Sequence, residues 1–235
     1  MKTKVLVVLV GLFFLSAPSV MAQDFCKGDF DYDGDVMQGD ISDFKANMGR
    51  WAGYNPCPLD GPAPVPVTGQ TTSYATGDDG DYEFGVAWPN PRFTDNGNGT
   101  VTDNLTGLIW LKDANCFGPR TWAQALSDCN GLASDSCGLT NGSNAGDWRL
   151  PNRNELNSLV DVRYDTPALC NTAGTGKWTN NDPFINVNYV YYYWSSTTNA
   201  LSTFAAWNVY MYNGDVYSGH LKSFGYYVWP VGGGH

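Results

Sequence analysis

The order of elements along the chain predicts an α+β fold: short strands, two short helices, a long loop region, then strands again. Three observations carry that expectation. Between Arg92 and Trp110 the run RFTDNGNGTVTDNLTGLIW alternates β-prone residues with Asn-Gly turns. Two stretches, TWAQALSDCNGL and WRLPNRNELNSLVD, place apolar residues at helical spacing behind a capping residue. The last fifty residues are dense in Tyr, Trp and Val, and Asn213-Gly214 marks a tight hairpin there.

Taken in order, RFTDNGNGTVTDNLTGLIW reads as a hairpin or meander, because Asn-Gly tolerates the left-handed turn that such connections need. In the first helix Thr121 and Gln124 stand at capping-box spacing, and Trp122, Ala125, Leu126, Cys129 and Leu132 share one face. In the second, Asn152 caps, Glu155 follows three residues on, and Leu156, Leu159 and Val160 form the buried stripe. YVYYYWSSTT, AWNVYMYNGDVYSG and FGYYVWPV are strand material.

Upstream, residues 1–22 combine Lys2 and Lys4, the apolar run VLVVLVGLFFL and a small-residue site ending at Ala22, which reads as a secretory signal peptide. The expected location is extracellular or at the cell surface, with the periplasm as the alternative. Residues 23–58 hold GDFDYDGDVMQGDISDF. Counted from Asp29, carboxylates stand at positions 1, 3, 5 and 12 (Asp29, Asp31, Asp33, Asp40), Gly34 at 6, and Asp35 at 7, where a backbone carbonyl ligates. Like charges this close repel unless a cation sits among them, and the many hard oxygens favour Ca2+. This layout resembles the EF-hand loop in its dockerin form, although position 9 is Met37 and only one such loop is found. Residues 59–82, rich in Pro, Gly and Thr, read as a linker, leaving 83–235 as the main domain.

Export makes the six cysteines legible as three disulfides. Cys26 and Cys57 bracket the calcium loop. The other four allow three pairings, of which Cys129–Cys137 with Cys116–Cys170 is the one expected. Zinc is disfavoured, since no C-x-x-C pair is present.

The formal net charge is −10, and loss of the signal peptide removes two lysines and no acid. No basic stripe is present to neutralise phosphates, so nucleic acid is not expected as a partner, and a sulfated polysaccharide meets the same objection unless a local basic patch exists. No second apolar run is long enough to span a bilayer.

Together FTDNGNGTVTDNLTGLIWLKDAN, TWAQAL, DWRLPNRNEL, YWSSTT and YYVWPV resemble the C-terminal domain family first named from the Legionella collagen-like protein. The resemblance implies a fold similar to C-type lectins and formylglycine-generating enzymes, with a C-terminal strand closing back beside the N-terminal one. Its R-L-P-x-x-x-E helix start matches Arg149, Leu150, Pro151 and Glu155. For function it implies extracellular adhesion or glycan binding.

Catalysis is not expected. His220 and His235 are the only histidines, too few for a multi-histidine metal site, and no nucleophile motif accompanies His220, which reads as a surface residue. Glu155 is better explained as a capping partner. Binding is expected through aromatics that exceed what a core needs: alternation along AWNVYMYNGDVYSG turns Trp207, Val209 and Met211 inward and Asn208, Tyr210 and Tyr212 outward, with Tyr217 nearby. Outward Tyr beside Asn offers flat apolar area with a polar handle, suited to a glycan or a surface protein. The alternatives are a second packed layer, or a face by which a structural component mates with its own copy.

Overall fold

The computed structural model describes residues 65–233. The chain divides into two units, Met1–Pro62 and Ala63–His235, and the described residues belong to the second. The expected signal peptide, the aspartate loop and the Cys26–Cys57 pair lie outside the described residues.

From Val65 the stretch expected as linker carries structure of its own. Pro66 pairs with Val86, and the Trp88 indole N–H donates to the Val67 carbonyl at 2.8 Å. A helical turn, α1 (Asp79–Tyr82), is capped by Asp78, whose carboxylate accepts from the N–H groups of Tyr74 at 2.7 Å and Asp81 at 3.1 Å. Asp78 thus satisfies donors that a free linker would leave to water.

The strands are β1 (Phe93–Asp95), β2 (Thr100–Asp103), β3 (Ile109–Leu111), β4 (Trp148–Arg149), β5 (Tyr192–Thr198), β6 (Ala205–Tyr210), β7 (Asp215–Leu221) and β8 (Val231–Gly232). They form two antiparallel sheets, one in the order β1-β2-β3-β8-β4 and one in the order β5-β6-β7. The last strand therefore closes into the sheet that the first strands build.

The helices α2 (Trp122–Gly131) and α3 (Arg153–Asn157) start where the capping residues place them. Gln124 Oε1 accepts from the Thr121 N–H at 3.0 Å. Asn152 Oδ1 accepts from the N–H groups of Asn154 and Glu155, and Glu155 Oε2 accepts from the Asn152 N–H at 2.8 Å. The Arg149 fork grips both Glu155 oxygens at 2.7 Å and donates to the Gly233 carbonyl at 3.1 Å, so the R-L-P-x-x-x-E segment ties α3 to the end of β8.

Between the sheets lies a core of large rings. Phe184 meets Phe93 and Trp229 edge-on, at 5.1 and 4.9 Å between centroids, and the Trp229 indole donates to the Leu111 carbonyl at 2.9 Å. Within that core Arg92 and Asp103 are fully buried and joined by two hydrogen bonds, Nε to Oδ1 at 3.0 Å and Nη2 to Oδ2 at 2.7 Å.

The disulfide expectation needs correction. Cys116 is joined to Cys137, with Cα atoms 5.6 Å apart, while Cys129 and Cys170 are free and buried. Neither Cys116–Cys170 nor Cys129–Cys137 forms. The reason is packing: Cys129 sits on the buried face of α2 with Ala125, Leu150 and Trp194, whereas Cys170 belongs to the main core with Phe93 and Trp229. Both act as small apolar side chains, and burial pushes the Cys170 thiol up to about 12.

Candidate functional site

The β5-β6-β7 sheet has two faces of different character. Tyr193, Val209 and Val216 turn into the main core. Their neighbours turn the other way: register sets Tyr192 opposite Tyr210, Trp194 opposite Asn208, and Asn208 opposite Tyr217. One part of this outer face, around Trp194 and Ala206, is covered by α2 through Ala125 and Cys129. The other part carries Tyr192, Tyr210, Tyr212, Tyr217, His220 and Tyr226. Tyr226 is the seam, 5.0 Å from Trp194 and 4.4 Å from His220 between ring centroids.

His220 reaches this face through a bulge. Two steps along β6, from Asn208 to Ala206, are matched by three along β7, from Tyr217 to His220. The extra residue reverses the alternation and brings His220 onto the side that Tyr217 occupies. Gly219 makes room, because a Cβ there would lie 2.7 Å from the Tyr217 hydroxyl. The histidine expected as a surface residue is thus half-buried, its ring 4.4 Å from Tyr192, 4.7 Å from Tyr217 and 4.4 Å from Tyr226.

Of the four expected binding residues, Tyr210, Tyr212 and Tyr217 come together on this face. Asn208 does not stand out to solvent as expected: it shares the face by alternation but is fully buried beneath its neighbours. Its Oδ1 lies 3.1 Å from His220 Nδ1, and its Nδ2 is buried with no hydrogen-bond partner among the described residues. Trp207, expected in the core, is half-buried beneath the Arg153 guanidinium, 4.9 Å from its ring, and lines a recess of about 280 Å3 with Asn152, Asn154 and Thr197.

The rings do not form a flat platform. Tyr192 and Tyr210 stack at 4.6 Å and 22°, and Tyr210 and Tyr212 at 5.6 Å and 14°. Their faces are spent on one another, so they stand off the sheet and turn edges and hydroxyls outward. None of the hydroxyls of Tyr192, Tyr210, Tyr212, Tyr217 and Tyr226 has a hydrogen-bond partner among the described residues. By contrast, the buried Tyr193 hydroxyl accepts from the Asn188 N–H at 2.7 Å.

Asp215, opposite Tyr210 in register, brings a carboxylate to the same face. Burial, followed by Tyr210, Asp215 and Tyr217, raises the Tyr192 phenol above its usual range, and burial followed by Tyr192 and Tyr217 raises Tyr226. Burial holds the His220 imidazole below its ordinary range. Among the described residues no group of three or more His, Cys, Asp or Glu is placed to hold a metal ion, and no helix is long and apolar enough to cross a membrane. Asp29, Asp31, Asp33, Asp35 and Asp40 lie outside the described residues.

Tyr192 and Tyr226 complete the face but escaped selection from the sequence, since their place depends on strand register and on the return of the chain after β7. No curated protein matches the chain. A family model, the Lcl C-terminal domain, matches residues 99–232, from the edge of β2 through the tyrosine face to β8. The chain belongs to the Lcl C-terminal domain family.

Proposed function

We propose that the protein is exported and works outside the cell as a recognition module, binding a neutral glycan through the tyrosine face of its Lcl-type domain. The observation that carries this is the set of five tyrosine hydroxyls, none with a partner among the described residues, held on one half-sheet. Hydroxyls that both donate and accept, set on aromatic edges, match a ligand that is itself a ring carrying hydroxyls. A net charge of −10 argues against sulfated polymers as the ligand. The fold reading is C-type-lectin-like, supported by the return of β8 to the first sheet. The aspartate loop at Asp29–Asp40 is read as a structural Ca2+ site apart from the glycan site.

The test is an array of neutral and sulfated glycans probed with the mature chain, in calcium and in chelator. Signal on neutral glycans in both conditions, lost with Tyr210→Ala plus Tyr212→Ala, is the expected result. Silence on a folded preparation, or signal confined to sulfated glycans, refutes the reading.

A second reading, self-assembly into a surface or matrix component, is favoured by a different observation. Leu201, Phe204, Leu221 and Phe224 are 99%, 78%, 44% and 54% exposed, and Phe204 and Leu221 flank paired backbone at one end of the β5-β6-β7 sheet. Apolar side chains gathered this way suit a protein partner or a second copy. Sedimentation over a range of concentrations separates the readings, because assembly changes the mass and glycan binding does not.

A further inference from the structure

The pairing of His220 with a buried amide gives the tyrosine face a property its phenols lack. An amide oxygen accepts and never donates, so the 3.1 Å contact between Asn208 Oδ1 and His220 Nδ1 places the imidazole proton on Nδ1. The other ring nitrogen, Nε2, then carries a lone pair. It has no hydrogen-bond partner among the described residues and is not one of the buried polar atoms that lack one. Each phenol can reorient its proton to suit a neighbour, whereas Nε2 in the neutral ring can only accept.

Asn208 is built for this role and for no other visible in the fold. It is fully buried beneath rings, and its Nδ2 is left without a partner among the described residues, at a desolvation penalty that a Leu or Val would avoid. A buried amide that satisfies only one of its two ends, and spends that end on a histidine, fixes the tautomer of that histidine.

We infer that His220 is the fixed acceptor of the tyrosine face, held by Asn208 with Nε2 directed to a ligand hydroxyl, and that protonation of the ring switches this contact off. The inference rests on the glycan reading and deepens it, since it names one specificity-determining residue and one positioning residue within that site. An imidazolium donates from both nitrogens, so a hydroxyl bound as donor loses its acceptor when the ring gains a proton.

The groups that face the ring bear on where this happens. Tyr192 comes from β5, Asn208 from β6, Tyr217 from β7, and Tyr226 from the segment after β7. Of the charged side chains on neighbouring strands, Lys222 donates to Thr198 Oγ1 at 2.7 Å and lies over the Trp122 ring, and Asp215, opposite Tyr210 in register, accepts from Asn213 Nδ2 at 2.7 Å. Among the described residues no carboxylate pairs with His220 to retain the proton. Burial therefore acts unopposed, and the switch falls below the ordinary imidazole range.

The test uses the mature chain and its variants, with cellohexaose, mannohexaose and maltohexaose as probes. The chain has two histidines, so imidazole 15N spectra are simple, and His220→Phe assigns the signal. The free protein should show His220 protonated on Nδ1 with Nε2 bare, and Asn208→Leu should shift the ring toward the Nε2–H form. A predominant Nε2–H form in the unmodified protein overturns the inference. For a probe that binds, the Nε2 resonance should move on saturation. His220→Phe, which keeps a ring in the stack, should weaken binding about tenfold at pH 7.5. His220→Gln, which restores an acceptor that does not titrate, should bind with the weakening at acid pH removed. If Tyr210→Ala abolishes binding while His220→Phe binds as tightly and with the same pH profile as the unmodified chain, the inference is overturned and the glycan face stands. If no probe binds, or if binding survives Tyr210→Ala and Tyr217→Ala, the face reading and the inference fall together.

Discussion

Replacing Arg92 with Met tests how the core is held, because the change removes a charge and keeps the length of its stem. Arg92 and Asp103 are each fully buried, and the guanidinium donates to Asp103 Oδ1 at 3.0 Å, to Oδ2 at 2.7 Å and to the Ser158 carbonyl at 3.0 Å. Without it the carboxylate keeps the Leu105 N–H at 2.9 Å and the Thr106 hydroxyl at 2.8 Å, and no countercharge. Removing one member of a buried pair costs about 3–5 kcal/mol, most of it the penalty of stranding the other charge. The guanidinium also lies 4.6 Å from the Trp88 ring centroid and 4.7 Å from that of Phe93, contacts that contribute roughly 0.5–1 kcal/mol each and that Met partly replaces. Against a typical total of about 5–15 kcal/mol, this loss is a third or more of the stability of the domain. Urea unfolding followed by tryptophan fluorescence reads it directly. Adding Asp103→Asn removes the stranded charge while keeping an acceptor for Leu105 and Thr106, so the double variant should recover part of the loss. A single variant within 1 kcal/mol of the unmodified protein, or a double variant no better than the single, would refute the reasoning.

Removing the Cys116–Cys137 bridge with Cys116→Ser plus Cys137→Ser frees a loop with a sequence separation of 21, and should cost about 3 kcal/mol in the same assay; Cys129→Ala plus Cys170→Ala should leave the reductant sensitivity of the melt unchanged. Gly99→Ala should cost more than ~3 kcal/mol, since Gly99 has φ +84° and a Cβ would lie 2.3 Å from the Gly138 carbonyl oxygen, a backbone atom that cannot swing aside. Burial lowers the His220 pKa in the fold, so the unfolded chain binds a proton at a higher pH than the native one. Its contribution to stability is therefore complete above the ordinary imidazole value and declines as pH falls toward the lowered one, a slope that His220→Phe should remove from melting curves taken across that window. Tyr210→Thr plus Tyr217→Thr keeps residues that favour strands and should leave the melting temperature within a few degrees, while any saccharide binding is lost; retained binding would move the site elsewhere.

What could be read from the sequence was what depends on neighbours within a turn or two. Thr121 with Gln124, and Asn152 with Glu155, started their helices as expected because a cap is made of adjacent residues. Asn213-Gly214 marked its hairpin. The disulfide could not be read this way: the pairing of Cys116 depends on where a loop returns, and four cysteines with three connectivities carry no record of it. The helical stripe had in fact placed Cys129 inward beside Ala125, which is where it serves as packing. For the site, alternation put Tyr210 and Tyr212 on one side of β6. Alternation along β7 alone would have sent Tyr217 and His220 to opposite sides, and one bulged residue between them undid it. That bulge is a property of the pair of strands, so the histidine could be found only after β6 and β7 were laid side by side.

The division of the outer face then has a physical logic. Covering all of it with a helix would bury Tyr192 and Tyr210 along with Trp194, and their hydroxyls would need partners that a helix face of Ala125, Cys129 and Leu126 does not offer. Leaving it bare with Val or Leu in their place would expose an apolar sheet face, which invites association. Tyrosine resolves the conflict for the half that α2 leaves open: the rings satisfy one another by stacking, and the hydroxyls satisfy water. Solubility alone, however, would be met as well by Thr or Lys on the same strands, and neither would call for a fully buried Asn208 beneath a histidine. An amide with one unpartnered end in that position costs stability, and in a marginally stable domain such a cost is more readily retained where a ligand makes use of the arrangement than where it serves packing alone. It is therefore on Asn208, more than on the number of tyrosines, that the proposal of a binding face rests.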